Sequence, residues 1–575
     1  MKPFVFILFL FPWILLPGKP EAQKSYPKNQ FRSPVDFPLL LAGGFGDPRK
    51  NHFHSGIDIR TGGEEGKPVY AIADGYVSRI NISSGGFGKA IYITHPNGFT
   101  SVYGHLKGFN PAIGAWTRDQ QYKNESFVLD SPVGPGVLKV KKGDVIAYSG
   151  NTGLSEGPHL HFEIRDAVTQ EIINPMLFGL PFKDNTPPKI YNVRIYPLDE
   201  MSMINFTGNP VTLTVNNSGP DCRISSKDTV RVTGNIVFGI QALDFSNDTG
   251  SRDGIFSIEL FMDTTCYFSQ KTERFAFAET RYANSLLDFP QVIRNGQRIM
   301  RSYIAPNNNL SMYGKGKNRG IMNFNDAKAH KVVYVVKDAF GNTSKLTFWV
   351  KSHLPPGVGA RKEKNPKGTL LTCGKTNHFT GEGIVFDLPA DALYEDLDFV
   401  YSSSTTLRGC YSPVYHLQNE FTPIHSACDL AIKTSAVPDS RISKALIVKV
   451  DKNGHFSGRG GKMENGFLKS KIREFGDYSI AIDTVPPVIK PVNVGQDKNV
   501  SKQQNLLFKI SDNLAGIQSY RGTLNGKWIL MDYDAKSGHL VYSYDDRMKK
   551  GKNTFRLLVK DAVGNESVYQ AAIIR

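Results

Sequence analysis

Three short segments near the N-terminus carry side chains whose types and spacing can do metal-assisted chemistry. They are HSGID from His54 to Asp58, VYGHL around His105, and GPHLHFEIR around His159 and His161. Six of the 13 histidines (His52, His54, His95, His105, His159 and His161) precede residue 165. A zinc site needs its ligand atoms about 2.0–2.2 Å from one ion. His54 and Asp58 stand at i and i+4, but Gly56, the β-branched isoleucines and the following Arg-Thr-Gly-Gly disfavour a helix. A straight strand would hold them roughly 13 Å apart at about 3.3 Å per residue. The chain must therefore bend between them, and Gly56 permits the bend. In HLHFEI, strand alternation sets His159 and His161 on one face and Leu160 and Phe162 on the other. One of two such imidazoles can ligate while the other leans over a substrate; alternation alone leaves open which does which. Glu163 shares that face; it reads first as a surface or groove carboxylate, with a supporting partner of the metal site as the second reading. His95, in THPNG, reads as a turn residue, and His52 as a neighbour of the site that does not bind.

A catalytic zinc takes three protein ligands and keeps one open position. With a carboxylate among the ligands the site retains positive charge, which acidifies water there toward neutrality. Spare histidines can then move protons or stabilise a developing oxyanion. HExxH and a Walker loop are absent from the sequence, which removes the commonest rival metalloprotease and nucleotide readings.

Four ordered blocks, FGDPRKNHFHSGIDI, GKPVYAIADGYV, GGFGKAIYITHPNGFTSVYGHL and VKKGDVIAYSGNTGLSEGPHLHFEIRD, resemble those of the lysostaphin-type (LytM-like) zinc endopeptidases. The resemblance covers residues from about 39 to 175, a quarter of the chain. It implies a small antiparallel β domain with a groove across one zinc ion. It also implies His54, Asp58 and His161 as metal ligands and His105 and His159 as catalytic histidines, so every position of the family's site is filled. The implied activity is hydrolysis of the peptide cross-links of bacterial peptidoglycan. Two rivals stand beside it: a non-enzymatic cell-envelope peptide-binding or activator protein, and a secreted peptidase acting on proteins. One departure from the family's pattern is the long segment from Gly108 to Leu138, expected to add a lip to the groove.

The elements that must hold these residues belong to an all-β chain. Its 575 residues exceed what one core can organise, and several domains are expected. DNTPPKI at Asp184–Ile190 returns as DTVPPVI at Asp483–Ile489, and VKDAFGNTS at Val336–Ser344 returns as VKDAVGNES at Val559–Ser567. Between each pair lies a similar strand and turn, FGIQALDFSND from Phe238 and FKISDNLAG from Phe508. Paired prolines cannot donate to a sheet ladder and mark boundaries, and D-A-x-G-N reads as a turn. The expected division is a peptidase domain over 23–183, an immunoglobulin-like β-sandwich with insertions over 184–352, a β-sandwich module of another kind over 353–482, and a second copy of the first sandwich over 483–575. A fragment ending near Phe182 is expected to fold by itself. The later modules carry no catalytic constellation and read as structural or envelope-binding.

The opening run from Phe4 to Leu16 with a small-residue exit at Ala22 reads as a signal peptide over residues 1–22, because it is shorter than the roughly 20 residues a spanning helix needs. Export to a periplasm, the cell envelope or the exterior follows, and no later segment is apolar enough to span a membrane. The formal charge of +16 favours anionic partners, but the basic residues are spread along the chain without a nucleic-acid motif. Five cysteines, none in CxxC, leave at least one thiol without an intrachain partner; Cys410–Cys428 and Cys222–Cys266 are the pairs expected to close if any do.

Overall fold

The protein is described by a computed structural model covering residues 26–575 apart from 218, 227–228, 246–249, 251 and 354–367. The expected signal peptide and most of the segment from His353 to Gly368 lie outside the described residues. The architecture is all-β, with one helix longer than seven residues among those described. No described helix is long and apolar enough to cross a membrane.

The N-terminal unit is built on an antiparallel sheet. Its strands are β1 (Leu41–Gly43), β2 (Ile57–Arg60), β3 (Gly75–Ile82), β4 (Lys89–Thr94), β5 (Phe99–Gly104), β6 (Leu129–Pro132) and β7 (His159–Asp166), in the order β1-β2-β7-β5-β4-β3-β6. Alternating apolar residues place Ile57, Ile59, Leu160, Phe162 and Ile164 fully inside, which fixes the face that β2 and β7 present to the core. Between β5 and β6 the chain forms α1 (Pro111–Lys123), started by Asn110, whose side chain accepts the Ile113 N–H, with Pro111 at the first turn. Ile113, Thr117 and Gln121 are its buried face.

Three further bodies of paired sheets follow: strands from Lys189 to Ser352, two five-stranded sheets between Asn377 and Ile482, and a four- and a five-stranded sheet between Val488 and Ile574. They do not hang as beads. The edge strand β8 (Ile172–Ile173) pairs with both β7 and Arg274–Phe275 of the following body, and one hydrophobic core runs from Phe31 to Val350. Phe275 lies 5.3 Å from Phe45 and 5.6 Å from Phe53 by ring centroids. Arg298 pairs with Asp47 at 2.7 Å, and Arg274 pairs with Glu171.

The last body turns back onto the first. Tyr122 of α1 bonds Asp545, packs edge-on to Trp528 at 5.2 Å and lies under Arg547. Arg521 pairs with Glu125 at 2.5 Å and Lys89 with Asp532 at 2.7 Å. The segment expected to form a lip on the groove is thus held as α1 against the C-terminal body. All five cysteines are free thiols, so neither expected disulfide forms. Burial raises the thiols of Cys222, Cys266 and Cys410 above the usual range.

Candidate metal centre

The side chains of His54, Asp58 and His161 meet although they come from different elements. Asp58 on β2 stands opposite His161 on β7 in the antiparallel register, and His54 arrives from the bend that precedes β2. His54 Nε2 lies 3.1 Å from Asp58 Oδ1 and 3.3 Å from His161 Nδ1, and His161 Nδ1 lies 2.9 Å from the same Oδ1. All three residues are buried. The bend depends on Gly56: a Cβ there would strike the Phe162 carbonyl oxygen and come within 2.9 Å of both His161 Cε1 and Glu163 Cγ. Gly56→Ala is therefore expected to push β2 off β7 and destabilise the fold by about 1–3 kcal/mol, read as a lowered midpoint in thermal unfolding.

Backbone carbonyls and one carboxylate decide which nitrogen of each ring faces the centre. His54 Nδ1–H donates to the Gly44 oxygen at 2.8 Å, leaving Nε2 as the lone-pair nitrogen. His161 Nε2–H donates to Glu163 Oε1 at 3.1 Å, leaving Nδ1. His105 Nδ1–H donates to the Thr152 oxygen at 2.8 Å, and His159 Nδ1–H donates to the Gly157 oxygen at 2.8 Å. Three lone-pair atoms, two nitrogens and one carboxylate oxygen, converge on one point, an arrangement that repels itself without a cation. The rings of His105 and His159 stand 4.8 Å apart beside it, with His159 Nε2 3.4 Å from Asp58 Oδ1.

The carboxylates and imidazoles shift one another strongly. Burial opposes charge on Asp58, yet the imidazoles around it hold its carboxyl well below the usual range. Burial likewise opposes charge on His161, but the carboxylates of Asp58 and Glu163 raise it to about 9. His105 goes the other way: burial, with His161 and His159 beside it, lowers it to about 3, so its imidazole stays neutral across the physiological range. His105 also adopts a left-handed backbone with φ of 56°, a costly conformation for a non-glycine residue. Its N–H donates to the Phe87 carbonyl at 2.8 Å.

The structure decides between the two readings of Glu163 and adds residues the sequence did not single out. Glu163 is no groove carboxylate: it is fully buried, bonded to His161 and paired with Arg165 at 2.6 Å, and its carboxyl is lowered to about 2 because Arg165 and His161 outweigh burial. Alternation on β7 was the signal, since 161, 163 and 165 share a face. Phe87, in GGFGK, stacks on His161 at 4.9 Å and 27°. His95 is a core histidine bonded to Asp74 O and Ser101 Oγ, and His52 is exposed on the rim.

Against this geometry the chain can be compared with known proteins. Residues 52–121 and 135–175 match Peptidase family M23, and residues 368–483 match the Zu5-like domain. The chain thus carries an M23 peptidase domain, LytM-like in type, followed by β-rich modules. A DD-carboxypeptidase/endopeptidase Mpg of Neisseria meningitidis serogroup B is 34% identical over 23% of this chain and 24% of its own length. The peptidoglycan DD-endopeptidase ShyA of Vibrio cholerae is 29% identical over 28% of this chain and 32% of its own. The glycyl-glycine endopeptidase ALE-1 of Staphylococcus capitis is 30% identical over 24% and 29%. Among solved structures, the catalytic domain of lysostaphin from Staphylococcus simulans is 26% identical over 24% of this chain and 86% of that one, with a TM-score of 0.18. The chain spans about a quarter to a third of the length of these curated relatives.

Proposed function

We propose that the protein is a zinc metalloendopeptidase that hydrolyses peptide cross-links of bacterial peptidoglycan, with His54 Nε2, Asp58 Oδ1 and His161 Nδ1 as the zinc ligands. The convergence of those three lone-pair atoms carries the reading. Two imidazoles and a carboxylate fit zinc, and their three positions leave room for the open site that catalysis requires. When bound, zinc supplies Lewis-acid chemistry, acidifying water and polarising a carbonyl. The chain's own residues do the rest. His105, neutral and with Nδ1–H engaged by Thr152, offers Nε2 to accept a proton from the attacking water. His159, held by Gly157, offers Nε2 on the same side; once protonated, either ring donates a hydrogen bond to the developing oxyanion or passes its proton to the leaving amine. Phe87, stacked on His161, keeps water from that flank of the ligand.

The M23 match and the cross-link peptidases among the relatives support the substrate class. Export to the cell envelope follows from that substrate and from the apolar opening of the chain, and the later modules are proposed to bind envelope components. We assign the peptidase domain to 23–183 and the modules to 184–352, 353–482 and 483–575. Digestion of purified peptidoglycan sacculi, with released fragments identified by mass spectrometry, is the deciding experiment: cleaved cross-links support the proposal. Intact sacculi beside cleaved protein substrates favour the secreted peptidase, and binding without turnover favours the non-enzymatic reading.

Glu163→Gln offers a narrower check. It removes the charge that orients His161 and leaves Arg165 unpaired, so zinc affinity is expected to fall about 10–100-fold, measured by competition with a chromogenic chelator.

A further inference from the structure

The duplicated sandwich carries a second cluster of ionisable groups, away from the peptidase centre. Asp184, Asp244 and Asp338 bring a carboxylate oxygen each to within 4.8 Å of one another, and Asp483, Asp512 and Asp561 do the same in the C-terminal copy. In both copies the first residue opens the D-x-x-P-P segment and the last lies in D-A-x-G-N, so the two triads occupy matching places. The last aspartate is bonded alike in both, Asp338 accepting from Phe340 and Asn342, but the other two positions differ. In the C-terminal copy both oxygens of Asp483 accept N–H groups, from Val485 and Ala515. Asp561 accepts from Val563 and Asn565, and Asp512 Oδ2 accepts from Leu514 and Gly516. Only Asp512 Oδ1 is left over. That triad ties turns together.

In the first copy three buried oxygens have no hydrogen-bond partner: Asp184 Oδ2, Asp244 Oδ1 and Asp253 Oδ1. Asp253 stands opposite Asp244 in the strand register, next to the three aspartates whose oxygens lie within 4.8 Å of one another. Asp244 and Asp253 are 3% and 5% exposed, and among the described residues no lysine or arginine forms an ion pair with any of the four carboxylates. Burial and mutual repulsion raise Asp244 to about 8 and Asp253 to about 7. Buried carboxylates are ordinarily hydrogen-bonded, paired or bound to metal, and here the first two compensations are missing on three oxygens.

We infer that Asp184, Asp244, Asp253 and Asp338 form a calcium site at the junction of the first sandwich and the peptidase domain. The donors are all carboxylate oxygens, which suit a hard cation and not zinc. Calcium accepts six to eight oxygens in a flexible arrangement, whereas magnesium demands a near-octahedral set. The location gives such a site a role. Gly254, next to Asp253, lies against the Phe45 carbonyl, and a Cβ on Gly44 would come within 2.7 Å of the Asp253 backbone. Gly44 is the residue whose carbonyl orients His54. Calcium would thus brace the strap that aims one proposed zinc ligand.

The test is isothermal titration of zinc-loaded, calcium-free full-length protein with calcium chloride, alongside thermal unfolding. The expected result is one calcium per chain, with Kd near or below about 10⁻³ M as in extracellular modules, and a midpoint that rises with calcium concentration. Asp244→Asn and Asp253→Asn should each abolish binding and the calcium-dependent shift, while Asp512→Asn should leave both intact; the two separate variants guard against one failing to fold. No binding at about 10 mM calcium, binding lost in Asp512→Asn but kept in Asp244→Asn, or an equal response to magnesium would overturn the assignment.

Discussion

His161→Ala is expected to lose bound zinc and peptidase activity together, and His54→Ala and Asp58→Ala to behave alike, because each removes one of three proposed ligand atoms from a centre that has no spare. His105→Ala and His159→Ala leave those three atoms in place. Both should retain zinc while turnover falls by about 10²–10⁴, the range for a proton-transfer or oxyanion-stabilising group. Elemental analysis of each variant beside its rate on cross-linked muropeptides reads the two effects separately. His105 and His159 differ in burial, His105 being 7% exposed and the His159 side chain 15%, yet each is held by a carbonyl that leaves Nε2 toward the centre, so the two losses should be comparable. An emptied site in His159→Ala with zinc retained in His161→Ala would reverse the roles of the two residues.

Cutting the chain near Phe182 is expected to cost far more stability than a linker cut would. The expectation from sequence was a fragment that folds by itself, but the pairing of β8 with Arg274–Phe275 and the packing of Phe275 on Phe45 and Phe53 change the outcome. Removing everything after Phe182 opens the edge of β8 and partly uncovers Phe45, Phe53, Ile172 and Ile173, all buried in the whole chain. At about 1–2 kcal/mol for each partly uncovered side chain, the loss approaches the 5–15 kcal/mol that holds a typical domain. A fragment ending near Ser352 keeps those contacts. Parallel expression of the two fragments, compared by soluble yield and cooperative unfolding, tests this; a soluble, cooperatively unfolding shorter fragment would show the interface to be dispensable.

Much of the candidate site is legible in the sequence. HSGID announced a bend because helix and strand both failed for those residues, and the structure has that bend, with Gly56 packed where no Cβ fits. HLHFEI announced two imidazoles on one face because strand periodicity is local. The same alternation reached Glu163 and Arg165, but a strand pattern says which face a carboxylate takes and not whether that face is covered; Phe87 and the neighbouring strands cover it, and Glu163 became a buried partner of His161. The paired prolines and the D-A-x-G-N turns marked the repeated modules, since such residues act through their own backbone.

The sequence alone determined the all-β class, the repeated sandwich motifs and the cluster of chemistry-bearing residues, because each rests on local periodicity, turn chemistry or ordered motif blocks. Only the tertiary structure decided which ring nitrogen each histidine turns inward, since that choice belongs to the carbonyls of Gly44, Thr152 and Gly157 and the carboxylate of Glu163. Only it decided that α1 is clasped by a body some four hundred residues further on, and that one aspartate triad keeps a single bare oxygen while its copy, with Asp253, has three. These are contacts between segments distant in the chain. Their energies depend on which surfaces and dipoles the fold brings together, and no local pattern of residues encodes that.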